Sequence, residues 1–169
     1  MKGSRAARMP RGDRMTVGQW MARSLVTVDA SAPVAEAWRV MQRRRIRHLP
    51  VRDGGKLVGI ISDRDVRLAF PAPAADMEVG ERRAVWERLR VWQIMSRLVV
   101  TVAPDTLMER AARTLLRHRI SGLPVVSDSR LVGIITETDF LWAFVALRKA
   151  HPARVRPHAL SGAMARTRR

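Results

Sequence analysis

The segment Gly59-Ile60-Ile61-Ser62-Asp63-Arg64-Asp65 closes an apolar run with a hydroxyl and sets an aspartate three residues beyond it, and Gly133-Ile134-Ile135-Thr136-Glu137-Thr138-Asp139 does the same again. Two chemistries fit this spacing. Ser or Thr followed three residues later by an acid is a helix-capping pattern, in which side chains satisfy amides that a helix start leaves unpaired. The same atoms can also hold a ligand. Glycine admits close approach to the backbone, a carboxylate accepts both hydrogens of a ribose diol, and the amides of a helix start favour phosphate. Both roles can coexist.

These segments belong to a longer repetition. Shifted by 74 residues, Val17 to Asp65 aligns with Val91 to Asp139 without a gap, and 21 of the 49 positions are identical. The longest shared runs are Val26-Thr27-Val28 with Val100-Thr101-Val102, Leu49-Pro50-Val51 with Leu123-Pro124-Val125, and Leu57 to Ile61 with Leu131 to Ile135. Two copies of one unit imply a pseudo-symmetric pair whose seam offers two related clefts.

Each copy reads β-α-β-β-α. In copy one, Thr16 caps a helical turn reaching Ala22, and Val26-Thr27-Val28 is extended. Pro33 to Arg45 is an amphipathic helix with Val34, Ala37, Trp38 and Met41 on one face and three arginines in its last turn, where cations suit the helix dipole. Leu49 to Val51 and Lys56 to Ser62 are strands joined by the turn Asp53-Gly54-Gly55, and a helix opens after Ser62. Copy two repeats the order with Leu107 to Arg117, Leu123 to Val126, the turn Ser127-Asp128-Ser129, Leu131 to Thr136, and a helix after Thr136.

Pro71 to Asp76 is a breaker-rich linker, and Val85, Leu89, Trp92 and Met95 predict a helix from about Glu81 to Met95 with that stripe packed in a core. Phe140 to Ala150 is more apolar than one buried face requires, which favours a homodimer. The chain thus divides into a basic disordered tail over 1–15, copy one over 16–70, a linker with a helix over 71–90, copy two over 91–150 and a basic disordered tail over 151–169. Units of this size are marginal alone, so the two are expected to share a core.

Composition removes whole classes of chemistry. Cysteine is absent, which excludes disulfides, thiolate metal sites and cysteine nucleophiles. His48, His118, His151 and His158 show no metal-ligand spacing, and there is no phosphate-binding Walker sequence or serine–histidine–acid pattern. The expectation is a protein that is not an enzyme, with neither a metal nor a catalytic cofactor. His118, near a helix end, is read as a solvated or dipole-pairing residue. The net charge is +17, and the ends carry more than half of it. They are read as solvated tails, with non-specific nucleic-acid binding as the rival. The longest apolar run, Phe140 to Leu147, is far short of the ~20 residues a bilayer span needs, and the first residues lack the apolar stretch of a signal peptide. A cytoplasmic protein without a membrane segment is expected.

The duplicated strand endings, taken with Ile46-Arg47-His48-Leu49-Pro50-Val51 and Ile120-Ser121-Gly122-Leu123-Pro124-Val125, resemble the CBS domain, named after cystathionine β-synthase, whose tandem pairs form the Bateman module. The resemblance covers residues 17–141 or so. It implies an α+β fold of two β-α-β-β-α repeats packed as a pseudo-two-fold pair, ligands of adenine-nucleotide type in the clefts between them, and dimerisation as a disk.

Carried over by position, the resemblance gives Asp65 and Asp139 the ribose hydroxyls, with Ser62 and Thr136 at ribose or phosphate. The neighbourhoods of Thr27 and Thr101, and the turns containing His48 and Pro50 or Gly122 and Pro124, would supply backbone groups and apolar walls to the base. Arg47 and Arg64 add cations in copy one where copy two has Ser121 and Thr138, so the two clefts are expected to be unequal, the Arg64 site preferring charged phosphates. AMP, ADP or ATP is the implied ligand, and S-adenosylmethionine or NAD fits the same diol-binding aspartate. The expected function is a regulatory sensor that alters a partner or its own dimer. Rivals are a nucleic-acid-associated protein using its tails, and a subunit of a separately encoded enzyme or transporter.

Overall fold

Pro33 fixes its own φ and has no amide to lose, so it stands as N-cap of an eleven-residue helix, α2 (Val34–Arg44), after a two-residue strand, β1 (Val28–Asp29), and the short helix α1 (Val17–Trp20). The computed structural model describes residues 15–69, 84 and 87–150. Thereafter come β2 (His48–Asp53), β3 (Lys56–Ser62), α3 (Asp63–Ala69), α4 (Val91–Ile94), α5 (Met108–His118), β4 (Gly122–Ser127), β5 (Arg130–Thr136) and α6 (Glu137–Ala150). The tails over 1–14 and 151–169 and the linker over 71–83 lie outside the described residues.

In copy one, β1 pairs in parallel with β2, Val28 beside Val51, and β2 pairs antiparallel with β3, Leu49 beside Ile61. Copy two keeps the antiparallel pair β4–β5 in the same register, Leu123 beside Ile135. Its first strand shrinks to one parallel bridge, Val102 to Val125, at the positions equivalent to Val28 and Val51. Both hairpins turn through two residues of positive φ, Gly54-Gly55 in one and Asp128-Ser129 in the other, the backbone twist that joins strands tightly. Both eleven-residue helices, α2 and α5, end on a left-handed arginine, Arg45 (φ 53°) and Arg119 (φ 54°), where glycine is the usual choice.

The copies do not share one core. Among the described residues there are two, and each is completed by the leading helix of the other copy. Val91 and its neighbours Leu89, Ile94 and Met95 pack with Val34, Ala37, Met41, Leu49, Val51, Ile61 and Val66 of copy one. Val17, Met21 and Trp20 pack with Met108, Ala111, Leu115, Leu123, Val125, Ile135 and Ala143 of copy two. Backbone hydrogen bonds bind the exchange: Ala22 and Ile134 bond in both directions (2.9 and 3.1 Å), as do Ser96 and Ile60 (2.9 and 3.0 Å). Val17 and Val91 are fully buried, so each copy loses a wall if the other is removed.

The expected helix over Glu81 to Met95 is not continuous. Arg90 is extended and bridges to Pro33, and α4 starts only at Val91. Of the stripe, Leu89 and Met95 do pack against the copy-one core. Trp92 is 45% exposed and carries the Arg97 guanidinium 5.9 Å over its ring. No helix among the described residues is long and apolar enough to cross a membrane.

Candidate functional site

Each strand ending runs straight into a helix, β3 into α3 and β5 into α6, and the hydroxyl and the aspartate meet there. Asp65 Oδ2 accepts from the Ser62 amide (2.7 Å) and the Ser62 hydroxyl (2.7 Å), and Ser62 Oγ accepts in turn from the Asp65 amide (3.2 Å). Asp139 Oδ2 accepts from the Thr136 amide (2.7 Å) and hydroxyl (2.8 Å). The capping reading therefore holds reciprocally at the first junction and through the aspartate at the second. It uses one carboxylate oxygen only: among the described residues every bond to Asp65 and Asp139 falls on Oδ2. Asp65 and Asp139 are half-buried.

Part of the helix-start amide cradle is spent on the protein itself. The Asp63 amide donates to the Arg47 carbonyl (2.9 Å) and the Glu137 amide to the Ser121 carbonyl (3.1 Å). The Asp63 carboxylate is tied to Arg67 at 2.7 Å. The two glycines of the motifs are likewise occupied by the chain. A Cβ on Gly59 would collide with the Met95 sulfur and crowd the Ser96 carbonyl, and one on Gly133 would collide with the Met21 sulfur and the Ala22 carbonyl. Room that the sequence suggested for a ligand thus belongs to the exchanged segments.

The seam between copies is built from positions related by the repeat. His48 Nε2 and Ser121 Oγ share a 2.8 Å hydrogen bond, and the His48 ring packs where a Cβ on Gly122 would be, 3.2 Å away. His48 and Gly122 are equivalent positions, so a large ring on one side requires a bare backbone on the other. Burial lowers the His48 pKa from its ordinary value of 6.5, and Arg47 adds to this against the opposing pull of Asp63, Asp65 and Glu137. The His48 ring is thus structurally engaged at the seam. His118 is exposed in the last turn of α5.

Arg47 and Arg64 do not gather on copy one. Arg64 is exposed in the first turn of α3, beside Ser62 and Asp65. Arg47 crosses the seam, its guanidinium 3.5 Å from Thr138 Oγ1 at the start of α6. Each strand-to-helix junction thus has one arginine near it. Pro50 and Pro124 are buried strand residues paired with Ile60 and Ile134, not turns, and Gly122 is buried under His48. Thr101 is exposed. Thr27 lies apart from the junctions, on a cavity of about 400 Å³ between the hairpins whose wall includes Arg52, Lys56 and Arg130, none of which the sequence reading singled out. The repeat shift pairs Lys56 with Arg130, a signal that was present in the alignment.

The profile of the CBS domain matches residues 17–72 and again 91–146. The chain belongs to the CBS-domain family. A CBS domain-containing protein of Dictyostelium discoideum is 32% identical over 130 residues, covering 76% of this chain and 90% of that protein. Inosine-5'-monophosphate dehydrogenase of Korarchaeum cryptofilum is 36% identical over 131 residues, which span 77% of this chain and only 23% of the enzyme. Among solved structures, a CBS domain pair in complex with 5'-methylthioadenosine and S-adenosyl-L-methionine superposes with a TM-score of 0.67 at 28% identity, covering 80% of this chain and 99% of that one. A second, in complex with AMP, gives 0.66 at 27% identity over 79% and 98% of the two chains. The α+β fold of two packed repeats expected from the sequence is that of these CBS pairs.

Proposed function

We propose that this CBS pair is a non-catalytic sensor that binds an adenosine-containing ligand at its strand-to-helix junctions and passes the binding energy to a partner or to its own dimer. The observation that carries the reading is the state of the two aspartates. Each caps a helix through Oδ2 and keeps Oδ1 for a ligand, a geometry suited to one hydroxyl of a ribose diol. The CBS pairs solved with AMP, and with 5'-methylthioadenosine and S-adenosyl-L-methionine, support the adenosine class. Ser62, Arg64 and Asp65 form one half-site, and Thr136 and Asp139, with Arg47 and the His48 edge from across the seam, form the other. Because each half-site has its own arginine, phosphate-bearing ligands suit both.

A ligand shifts an equilibrium only by its difference in affinity for two arrangements. A site at the seam, touching β5–α6 on one side and the start of β2 at His48 on the other, is placed to sense how the copies sit together. Self-association of the pair is supported by the apolar residues left on its surface: Leu141, Trp142 and Phe144 on α6 are 66%, 64% and 61% exposed, and Leu68 on α3 is 70% exposed.

Thermal shift of the full chain against AMP, ADP, ATP, S-adenosylmethionine, 5'-methylthioadenosine and NAD tests the reading. The true effector raises the melting temperature with concentration, and Asp65→Asn with Asp139→Asn abolishes the rise. Asparagine keeps one oxygen for the cap and replaces the other with a donor. A full shift in that double variant, or no shift with any of the six compounds, overturns the proposal.

A further inference from the structure

We propose that the cavity between the two hairpins is a separate ligand site, for a small phosphate-bearing polyanion. It measures about 400 Å³ and lies near the hairpin turns, where Lys56 opens β3 and Arg130 opens β5. The Ser62 and Thr136 junctions are at the opposite ends of the same strands, six residues or roughly 20 Å away along the chain. The proposal is therefore independent of adenosine binding at the aspartates.

Charge points to the ligand class. Arg52, Lys56 and Arg130 border the cavity, and none of the described residues lining it is acidic. Arg52 is held in place by donating Nε and Nη2 to the Gly55 carbonyl (3.1 and 3.0 Å), which positions a guanidinium without neutralising it. No described acidic side chain makes a salt bridge with Lys56 or Arg130. Three like charges around one space repel, and an anion between them relieves that repulsion. Walls of Leu57 and Leu131 lower the local dielectric and strengthen each contact.

Shape narrows the class further. Lys56 and Arg130 are equivalent under the repeat, as are Leu57 and Leu131, so the cavity presents one cation from each copy across the pseudo-two-fold axis. An anion charged at both ends, such as a diphosphate, matches that arrangement. The volume falls in the usual range for small-molecule sites. An occupant would clamp β3 of one copy to β5 of the other.

Isothermal titration of the full chain with inorganic pyrophosphate and with ATP, at low and at physiological salt, decides the matter. The variants are Lys56→Gln with Arg130→Gln, and Asp65→Asn with Asp139→Asn. Lys56 and Arg130 are exposed, so the first pair leaves the fold intact. The expected result is pyrophosphate binding that weakens about ten-fold or more in Lys56→Gln/Arg130→Gln and is unchanged in the aspartate variant. If only ATP shows that dependence on Lys56 and Arg130, the occupant is the phosphate chain of a nucleotide and the site stands. Binding of both compounds to Lys56→Gln/Arg130→Gln as tightly as to the wild type assigns them to other cations of this +17 chain and overturns the proposal, as does the absence of binding to the wild type at low salt.

Discussion

A side chain at Gly59 would meet the Met95 sulfur and the Ser96 carbonyl at once, and the two obstacles differ in kind. Met95 can rotate away, but the Ser96 carbonyl is held by the Ile60 amide at 3.0 Å. Gly59→Ala should therefore cost about 1–3 kcal/mol in urea unfolding, and shortening Met95 to Ala in the same chain should recover part of it as a coupling of about 0.5 kcal/mol or more. Strictly additive losses would mean that sulfur and glycine do not meet. His48 sets a second residue-scale expectation. Its pKa is lowered on folding, chiefly by burial, so acid favours the unfolded chain. The contribution is complete above the ordinary value of 6.5 and is lost as pH falls through the lowered folded value. The melting temperature should drop between about pH 7 and pH 5 more steeply for the wild type than for His48→Gln. The capping role of Ser62 and Asp65 was legible in the sequence, because it depends on spacing within one turn. The job of Gly59 was not: its neighbour is 36 residues away, and nothing local distinguishes room for a ligand from room for a methionine.

At the scale of elements, the strands and long helices were readable because each carries its own periodicity, and the hairpin turns carried their glycines or their Asp-Ser pair. What escaped was partnership. The small size of each repeat suggests one core shared by both copies, yet each copy has its own, with α1 packed on copy two and α4 on copy one. The continuous helix expected to end at Met95 failed for the same reason, since Arg90 must be extended to bridge Pro33 before α4 can dock. This exchange is testable by amide hydrogen exchange. Val17→Ala, removing two buried methyl groups at about 2 kcal/mol, should deprotect β4–β5 rather than β2–β3, and Val91→Ala should do the reverse. Loss of protection in the copy nearer in sequence would contradict the exchange.

At the scale of the molecule, Leu141, Trp142, Phe144 and Val145 make α6 the element with the most exposed large apolar side chains among the described residues, while Leu68 of α3, Trp92, Leu98, Leu107 and Leu116 are exposed elsewhere. Leu68 and Trp142 are equivalent under the repeat, so the two helices present related residues outward. A face with this internal symmetry suits an isologous dimer, where the same patch meets itself. Leu68→Glu with Trp142→Glu should shift sedimentation from dimer to monomer while leaving the circular dichroism unchanged, because both side chains are outside the cores. An unaltered sedimentation coefficient would place the contact elsewhere or remove it. The excess of apolar residues over Phe140 to Ala150 was visible in the sequence, since no single buried face could use them all. The cation-lined cavity was not, because its walls come from hairpin tips that only the folded pair brings side by side.

The crossing of α1 and α4 limits what a single copy could do alone. A polypeptide holding a single copy, with its own leading helix, would have no second core on which to lay that helix except that of another molecule. Two such half-length chains would clasp reciprocally, each lending the other its first helix. Cutting the protein back to one copy should therefore give an obligate pair instead of a free-standing monomer.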